Sequence, residues 1–198
     1  MGALQIKQLM FLGRGPFSFT IPAGNCLTIS GPSGVGKTLL LRAIADLEPH
    51  EGMVLLDDRE SQSMPAPCWR HQVALLPAES QWWHDTVGEH FPVFDSGLLA
   101  ELGFNLDVMD WLIARLSSGE KQRLALLRLL SHQPEALLLD EPTANLDPDK
   151  GRQVEKLIHN YQKQKQAAVL WVTHNPNLPP RVADCHFNLR EDGTLIQG

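Results

Sequence analysis

Residues 26–38 constrain this chain more than any other stretch. Cys26 to Ser30 is an apolar, β-branched run that reads as a strand. It passes straight into Gly31-Pro32-Ser33-Gly34-Val35-Gly36-Lys37-Thr38, and Leu39 to Leu47 follows as a helix. The eight loop residues fit G-x-x-x-x-G-K-[ST] in full, in the strand–loop–helix setting that the pattern requires. The glycines let backbone N–H groups curl around phosphate oxygens. The start of the helix adds favourable potential for an anion. Lys37 is placed to reach the β- and γ-phosphates, and the Thr38 hydroxyl to bind Mg²⁺. The competing interpretation is an ordinary glycine-rich turn, which a complete pattern in the right context makes the minor one.

The rest of the chain has to supply a sheet around that strand. Ala3 to Leu9 and Phe17 to Ile21 alternate apolar and polar residues, with Pro22 to Asn25 as the turn leading to Cys26. Met53 to Leu56 is a short strand, and Gln72 to Leu76 an apolar strand ended by Pro77. Residues 82–114 are mixed and helical in places. Glu120 to Ser131 is a helix, Ala136 to Leu139 a buried strand, and Gly151 to Gln166 an amphipathic helix. Ala168 to Thr173 is another buried strand, and His186 to Leu189 with Thr194 to Ile196 a hairpin. Continuous apolar strands alternating with helices imply an α/β fold with a mostly parallel sheet covered on both faces. The half-polar N-terminal strands imply an additional antiparallel piece. With 198 residues and 43% apolar content, the chain is expected to form a single domain with a substantial core.

Two further segments carry chemistry. Leu137 to Glu141 is a buried strand that ends in two carboxylates. Asp140 suits a Mg²⁺ site beside the phosphate loop, and Glu141 suits a general base for water. In isolation the pair is two solvated acids. Ser117-Ser118-Gly119-Glu120 opens a helix, which by itself is a cap: Ser at the N-cap and Glu in the first turn. Its position just before the carboxylate strand raises a second role. His174 ends a strand at the edge where parallel sheets bind ligands, so it is either a structural histidine or a γ-phosphate contact.

These elements, in this order, resemble the ATP-binding subunits of ABC transporters. Gly31 to Thr38 resembles the Walker A loop of P-loop NTPases, and Leu137 to Glu141 resembles Walker B. Leu116-Ser117-Ser118-Gly119-Glu120 resembles the LSGGQ signature, with Ser118 for its first glycine and Glu120 for its glutamine. Asn145-Leu146-Asp147 resembles the D-loop and His174 the switch histidine. Within the family, the compact size and Ala168 to His174 resemble small bacterial iron-export or metal-resistance ATPases.

The resemblance implies one ABC ATPase domain over residues 1–198, with a short helical subdomain inserted at roughly 82–130. It implies ATP and Mg²⁺ as cofactors, with Lys37, Glu141 and His174 catalytic and with Thr38 and Asp140 on the metal. Two copies pair head to tail on binding ATP, each nucleotide lying between Gly31–Thr38 of one copy and Ser117–Glu120 of the other. Without nucleotide a monomer is expected. A transmembrane permease subunit is the implied partner, placing this chain in the cytoplasm, peripheral on the inner face of the membrane. One departure stands out: the family carries a glutamine where Ala78 follows Pro77, which implies weak ATPase activity. Trp82 and Trp83 follow, where the family docks its membrane partner; each is either an interface anchor or core packing. Phe11 is the nearest aromatic for stacking on adenine, or else a packing residue.

Other classes fit less well. The net charge of −6 argues mildly against a nucleic-acid surface. A DNA-repair or chromosomal ATPase of this family needs a long coiled coil between the two Walker motifs, and no heptad run exists. Cys26, Cys68 and Cys185 lack metal-ligand spacing and suit reduced thiols. No signal peptide and no apolar run long enough to span a bilayer is visible. A nucleotide-dependent regulatory or assembly subunit of a membrane complex, with little turnover, stays open because of Ala78.

Overall fold

In the computed structural model, residues 2–91, 93, 95–174 and 183–197 are described. Two sheets share the chain. Strand β1 (Leu4–Phe11) pairs antiparallel with β2 (Arg14–Ile21) through a tight turn at Leu12-Gly13. Asn25 N–H then donates to the Pro22 carbonyl at 3.1 Å, and this turn carries the chain out of the first sheet. Strand β3 (Cys26–Ser30) starts the second sheet and is buried along its whole length. Helix α1 (Lys37–Ile44) begins two residues before the sequence suggests and stops early. Asp46 adopts φ 56°, and Leu47 N–H donates to the Arg42 carbonyl at 2.8 Å, a left-handed stop that a run of apolar residues conceals.

Strands β4 (Glu51–Leu56) and β5 (Arg59–Glu60) return to the first sheet, giving the order β2-β1-β4-β5. Helix α2 (Ala66–Gln72) precedes strand β6 (Val73–Leu76). Helix α2 is an element that the sequence analysis does not include; Pro65 stands at its N-cap and Pro67 in its first turn, where proline is compatible with a helix. Residues 77–117 carry helix α3 (Ser96–Glu101) and 3-10 turns at Gly88–His90, Leu106–Asp110 and Ile113–Arg115. Helix α4 (Ser118–Ser131), strand β7 (Ala136–Asp140), helix α5 (Pro148–Lys165) and strand β8 (Ala168–Val172) follow. Asp147 caps α5, its Oδ1 accepting from the Asp149 and Lys150 N–H groups at 3.0 Å each, so the helix starts at Pro148 and not at Gly151. Strands β9 (Cys185–Leu189) and β10 (Leu195–Gln197) form the expected hairpin. The second sheet runs β10-β9-β3-β8-β7-β6, parallel except for β10.

Strand alternation divides the core in two. Leu27, Ile29, Leu138, Leu170 and Val172 face α1 and the antiparallel sheet, so α1 is enclosed between the two sheets. Cys26, Leu137, Leu139, Val169 and Trp171 face the other way, onto α4, α5 and the 87–116 segment. Burial on both faces is why β3, β7 and β8 read as unbroken apolar runs. Trp69 of α2 is fully buried and its Nε1–H donates to the carbonyl of Ile44, the last residue of α1, at 2.9 Å. Trp69→Phe leaves that helix-end carbonyl without its donor and is expected to cost about 1–3 kcal/mol in urea unfolding. Trp69→Ala, which also opens a cavity, is expected to cost about 3–5 kcal/mol.

Candidate active site

The parallel register brings three strand ends abreast. Ile29 pairs with Val172, and Val172 with Asp140, so β3, β8 and β7 finish on one line. The loop after β3 is Gly31–Gly36. At Gly31 φ is 152° and a β-carbon would stand 2.3 Å from the Leu189 carbonyl oxygen, so this position excludes any side chain. The loop feeds α1 through Gly36, whose φ is 105°. Lys37 folds back over the loop, its Nζ donating to the carbonyls of Gly31 and Pro32 at 2.8 Å each. An ammonium has three donors, so one remains for a ligand. Partial burial pulls the Lys37 pKa down, while the charges of Glu141 and Asp140 push the other way.

Thr38 Oγ1 donates to Asp140 Oδ2 at 2.8 Å across 102 residues of sequence. Asp140 is 4% exposed. Burial raises its pKa; the Thr38 hydrogen bond opposes this, and neighbouring Glu141 adds to it. A buried carboxylate beside a hydroxyl and a second carboxylate suits a divalent cation, which would offset that charge. Among the described residues no three His, Cys, Asp or Glu side chains form a metal cage.

Glu141 sits in the left-handed region, φ 48°, with its N–H donating to the Val172 carbonyl at 3.0 Å. This backbone turn throws its carboxylate off the strand line. Glu141 Oε2 lies 2.7 Å from His174 Nδ1, a contact across 33 residues. Strained non-glycine conformations of this kind concentrate at functional sites.

Ser117 to Glu120 form a complete capping box. Ser117 Oγ accepts from Glu120 N–H at 3.3 Å, and Glu120 Oε2 accepts from Ser117 N–H at 2.9 Å and from its hydroxyl at 2.7 Å. These bonds hold the Glu120 carboxyl below its usual range. A β-carbon on Gly119 would meet Leu146 Cδ2 at 3.0 Å and the Asn145 carbonyl at 3.2 Å. Within one chain, the serine loop therefore packs beside residues 145–146. Phe11 is buried and stacked on Phe17 at 5.6 Å between centroids, so it is a packing residue. Trp82 and Trp83 part company: Trp82 is half-buried against the second core, while Trp83 is 66% exposed. The Arg128 guanidinium covers both rings, 4.5 and 4.8 Å from their centroids. Buried His90 organises the same loop. Its Nε2 accepts from the N–H groups of Trp83 and His84 at 3.0 and 3.1 Å, and Nδ1–H donates to the Thr86 carbonyl at 2.9 Å. Burial lowers its pKa and favours the neutral ring that this pattern needs.

Several contacts escaped sequence reading. Arg14 reaches the phosphate loop from β2. His186 of β9 bonds the fully buried hydroxyls of Thr28 and Ser30, at 2.8 and 3.1 Å, and so ties the neighbouring strand to the one that carries the loop. His186 lies 156 residues from Ser30, beyond any local signal.

A glycine loop, a hydrogen bond from Thr38 to the buried Asp140 carboxylate and a Glu–His pair at the ends of adjacent parallel strands define a P-loop nucleotide-binding protein. Residues 15–144 match the ABC transporter family model, and the chain belongs to that family as one of its ATP-binding subunits. It is 33% identical over 171 residues to the probable iron export ATP-binding protein FetA of Escherichia coli K12, covering 80% of this chain and 76% of FetA. It is 34% identical over 174 residues to the spermidine/putrescine import ATP-binding protein PotA of Bacillus anthracis. That match covers 81% of this chain, which spans about half (53%) of PotA's length. The fold superposes on cbiO1 from Clostridium perfringens, part of the ABC transporter complex cbiONQ, with a TM-score of 0.81. Identity there is 24%, covering 98% of this chain and 87% of cbiO1. A bacterial Atm1-family ABC exporter with ATP bound gives a TM-score of 0.86 at 22% identity, covering 100% of this chain and 38% of the exporter.

Asp140→Asn keeps an acceptor for Thr38 and removes the buried charge. A folded-state pKa above the unfolded one means that wild type loses stability as pH rises through that folded value. Urea unfolding followed from acidic conditions to neutrality is expected to show Asp140→Asn gaining on wild type as pH rises. Under strongly acidic conditions the two are expected to agree.

Proposed function

We propose that this chain binds and hydrolyses ATP and thereby energises transport through a separate transmembrane permease subunit. The observation that carries the reading is the Thr38–Asp140 hydrogen bond at 2.8 Å, which joins the end of the phosphate loop to the carboxylate strand. In this reading residues 1–198 are one ABC ATPase domain with a helical insertion at roughly 82–130. Gly31 to Thr38 cradle the triphosphate with backbone N–H groups. The third donor of Lys37 goes to the β- and γ-phosphates. Thr38 and Asp140 would hold Mg²⁺, whose chemistry here is to neutralise phosphate charge. Glu141 accepts a proton from the attacking water. His174, on its Nδ1 side, fixes the Glu141 carboxylate and contacts the γ-phosphate.

Hydrolysis then needs a second copy. Ser117, Ser118, Gly119 and Glu120 supply a capped helix start, suited to the phosphates held by a partner in a head-to-tail pair. No helix among the described residues is long and apolar enough to cross a membrane. In this reading another subunit provides the path for substrate. A groove of about 960 Å³ beside β6 and α4, edged by exposed Trp83, supports docking of that subunit at the inner membrane face. The side-chain-poor Ala78, next to Pro77 whose carbonyl accepts from Gln122 Nε2 at 2.9 Å, favours a second reading: a nucleotide-gated regulatory subunit with slow turnover.

With ATP and Mg²⁺, Glu141→Gln is expected to run as a dimer on size exclusion, with turnover reduced about 100-fold or more. A variant that stays monomeric, or keeps wild-type turnover, removes the paired-hydrolysis mechanism. Trp83→Ala is expected to fold, retain ATP binding and lose copurification with the permease subunit; full copurification would refute docking through Trp83.

A further inference from the structure

Lys37 holds only the first half of the phosphate loop, through the carbonyls of Gly31 and Pro32. The second half is held from the other sheet. Arg14 opens β2, directly after the Leu12-Gly13 turn. Its guanidinium donates to the carbonyl of Val35 through one terminal nitrogen and to that of Gly34 at 3.4 Å through the other. The side chain lies flush against the loop: a β-carbon on Gly36 would stand 3.0 Å from both Arg14 Cδ and Arg14 Nε. One arginine thus runs along three consecutive loop residues.

Peptide geometry gives this contact a consequence. In a planar trans peptide the carbonyl of one residue and the N–H of the next point in opposite directions. Drawing the Gly34 carbonyl towards Arg14 turns the Val35 N–H away from it. Drawing the Val35 carbonyl the same way turns the Gly36 N–H away. Two adjacent amides then face the side of the loop opposite the guanidinium, where they form a concavity for an anion.

We propose that Arg14 is a positioning residue for the triphosphate: it fixes the Gly34 and Val35 carbonyls so that the Val35 and Gly36 amides are set for phosphate before nucleotide arrives. The proposal rests on the ATP-binding reading and deepens it. It assigns Arg14 to the phosphates and not to the base, and it makes the antiparallel sheet part of the nucleotide site.

The test compares the full-length wild type with Arg14→Met, which keeps the stem and removes the donors, and with Arg14→Lys. Calorimetry with ATP and with inorganic tripolyphosphate, both with Mg²⁺, reads the effect. Arg14→Met is expected to weaken both ligands by the same factor, roughly tenfold, with the nucleotide-free melting temperature little changed. Arg14→Lys is expected to recover part of the loss, since an ammonium can hold one of the carbonyls. A loss for ATP without one for tripolyphosphate would place Arg14 on the base and overturn the clamp. Unchanged affinity for both would overturn it as well. If Arg14→Met is unfolded by circular dichroism, Arg14→Gln, with two donors left, takes its place under the same criteria. A wild type that binds no ATP, with Lys37→Ala indistinguishable from it, would instead refute the nucleotide reading.

Discussion

A buried carboxylate at the end of an apolar strand is costly to keep, and the organisation around Asp140 answers that cost. Among the described residues its side-chain hydrogen-bond partner is Thr38, the second residue of the helix that opens on the phosphate loop. That hydrogen bond can form only if β3 and β7 end level with one another, with β8 between them in register. The same register delivers Glu141 and His174 to neighbouring positions. One polar contact therefore reports on the alignment of three strands and one helix, and the candidate active site exists only while that alignment holds.

The loop itself is shaped by cations on both halves. Lys37 gathers the carbonyls of its first half from within. Arg14 takes those of its second half from the antiparallel sheet. The Gly34 and Val35 carbonyls, drawn outward by Arg14, leave the next N–H groups directed to the other side, the preorganised anion site inferred above. His186, bonded to Thr28 and Ser30, stiffens the strand behind it. The antiparallel sheet is thus coupled to the loop through a charged contact as well as through the shared core around α1.

At the other end of the molecule, the segment after β6 is organised by aromatic and cationic groups. His90 gathers the backbone of residues 83, 84 and 86, and Arg128 lies over both tryptophans. Trp82 turns inward and Trp83 outward, although they are adjacent and chemically identical. Gln122 of α4 reaches the Pro77 carbonyl, which links the helix that follows the serine loop to the strand end where the segment begins.

The α/β class, the phosphate loop, the carboxylate pair, the serine cap and most strands were legible in the sequence, because each is set by neighbours a few residues apart. Alternation marks strands, helical spacing marks α4 and α5, and the G-x-x-x-x-G-K-[ST] pattern encodes its own backbone geometry. Element ends were less legible: α1 stops at a left-handed Asp46, and α2 carries Pro65 at its N-cap and Pro67 in its first turn. What only the tertiary structure decided are the pairings of distant residues. These are Arg14 with the loop, Glu141 with His174, His186 with Thr28 and Ser30, and the separate fates of Trp82 and Trp83. A hydrogen bond between groups 20, 33 or 156 residues apart leaves no periodicity in the chain, since strand order and register, not sequence spacing, bring its atoms within reach.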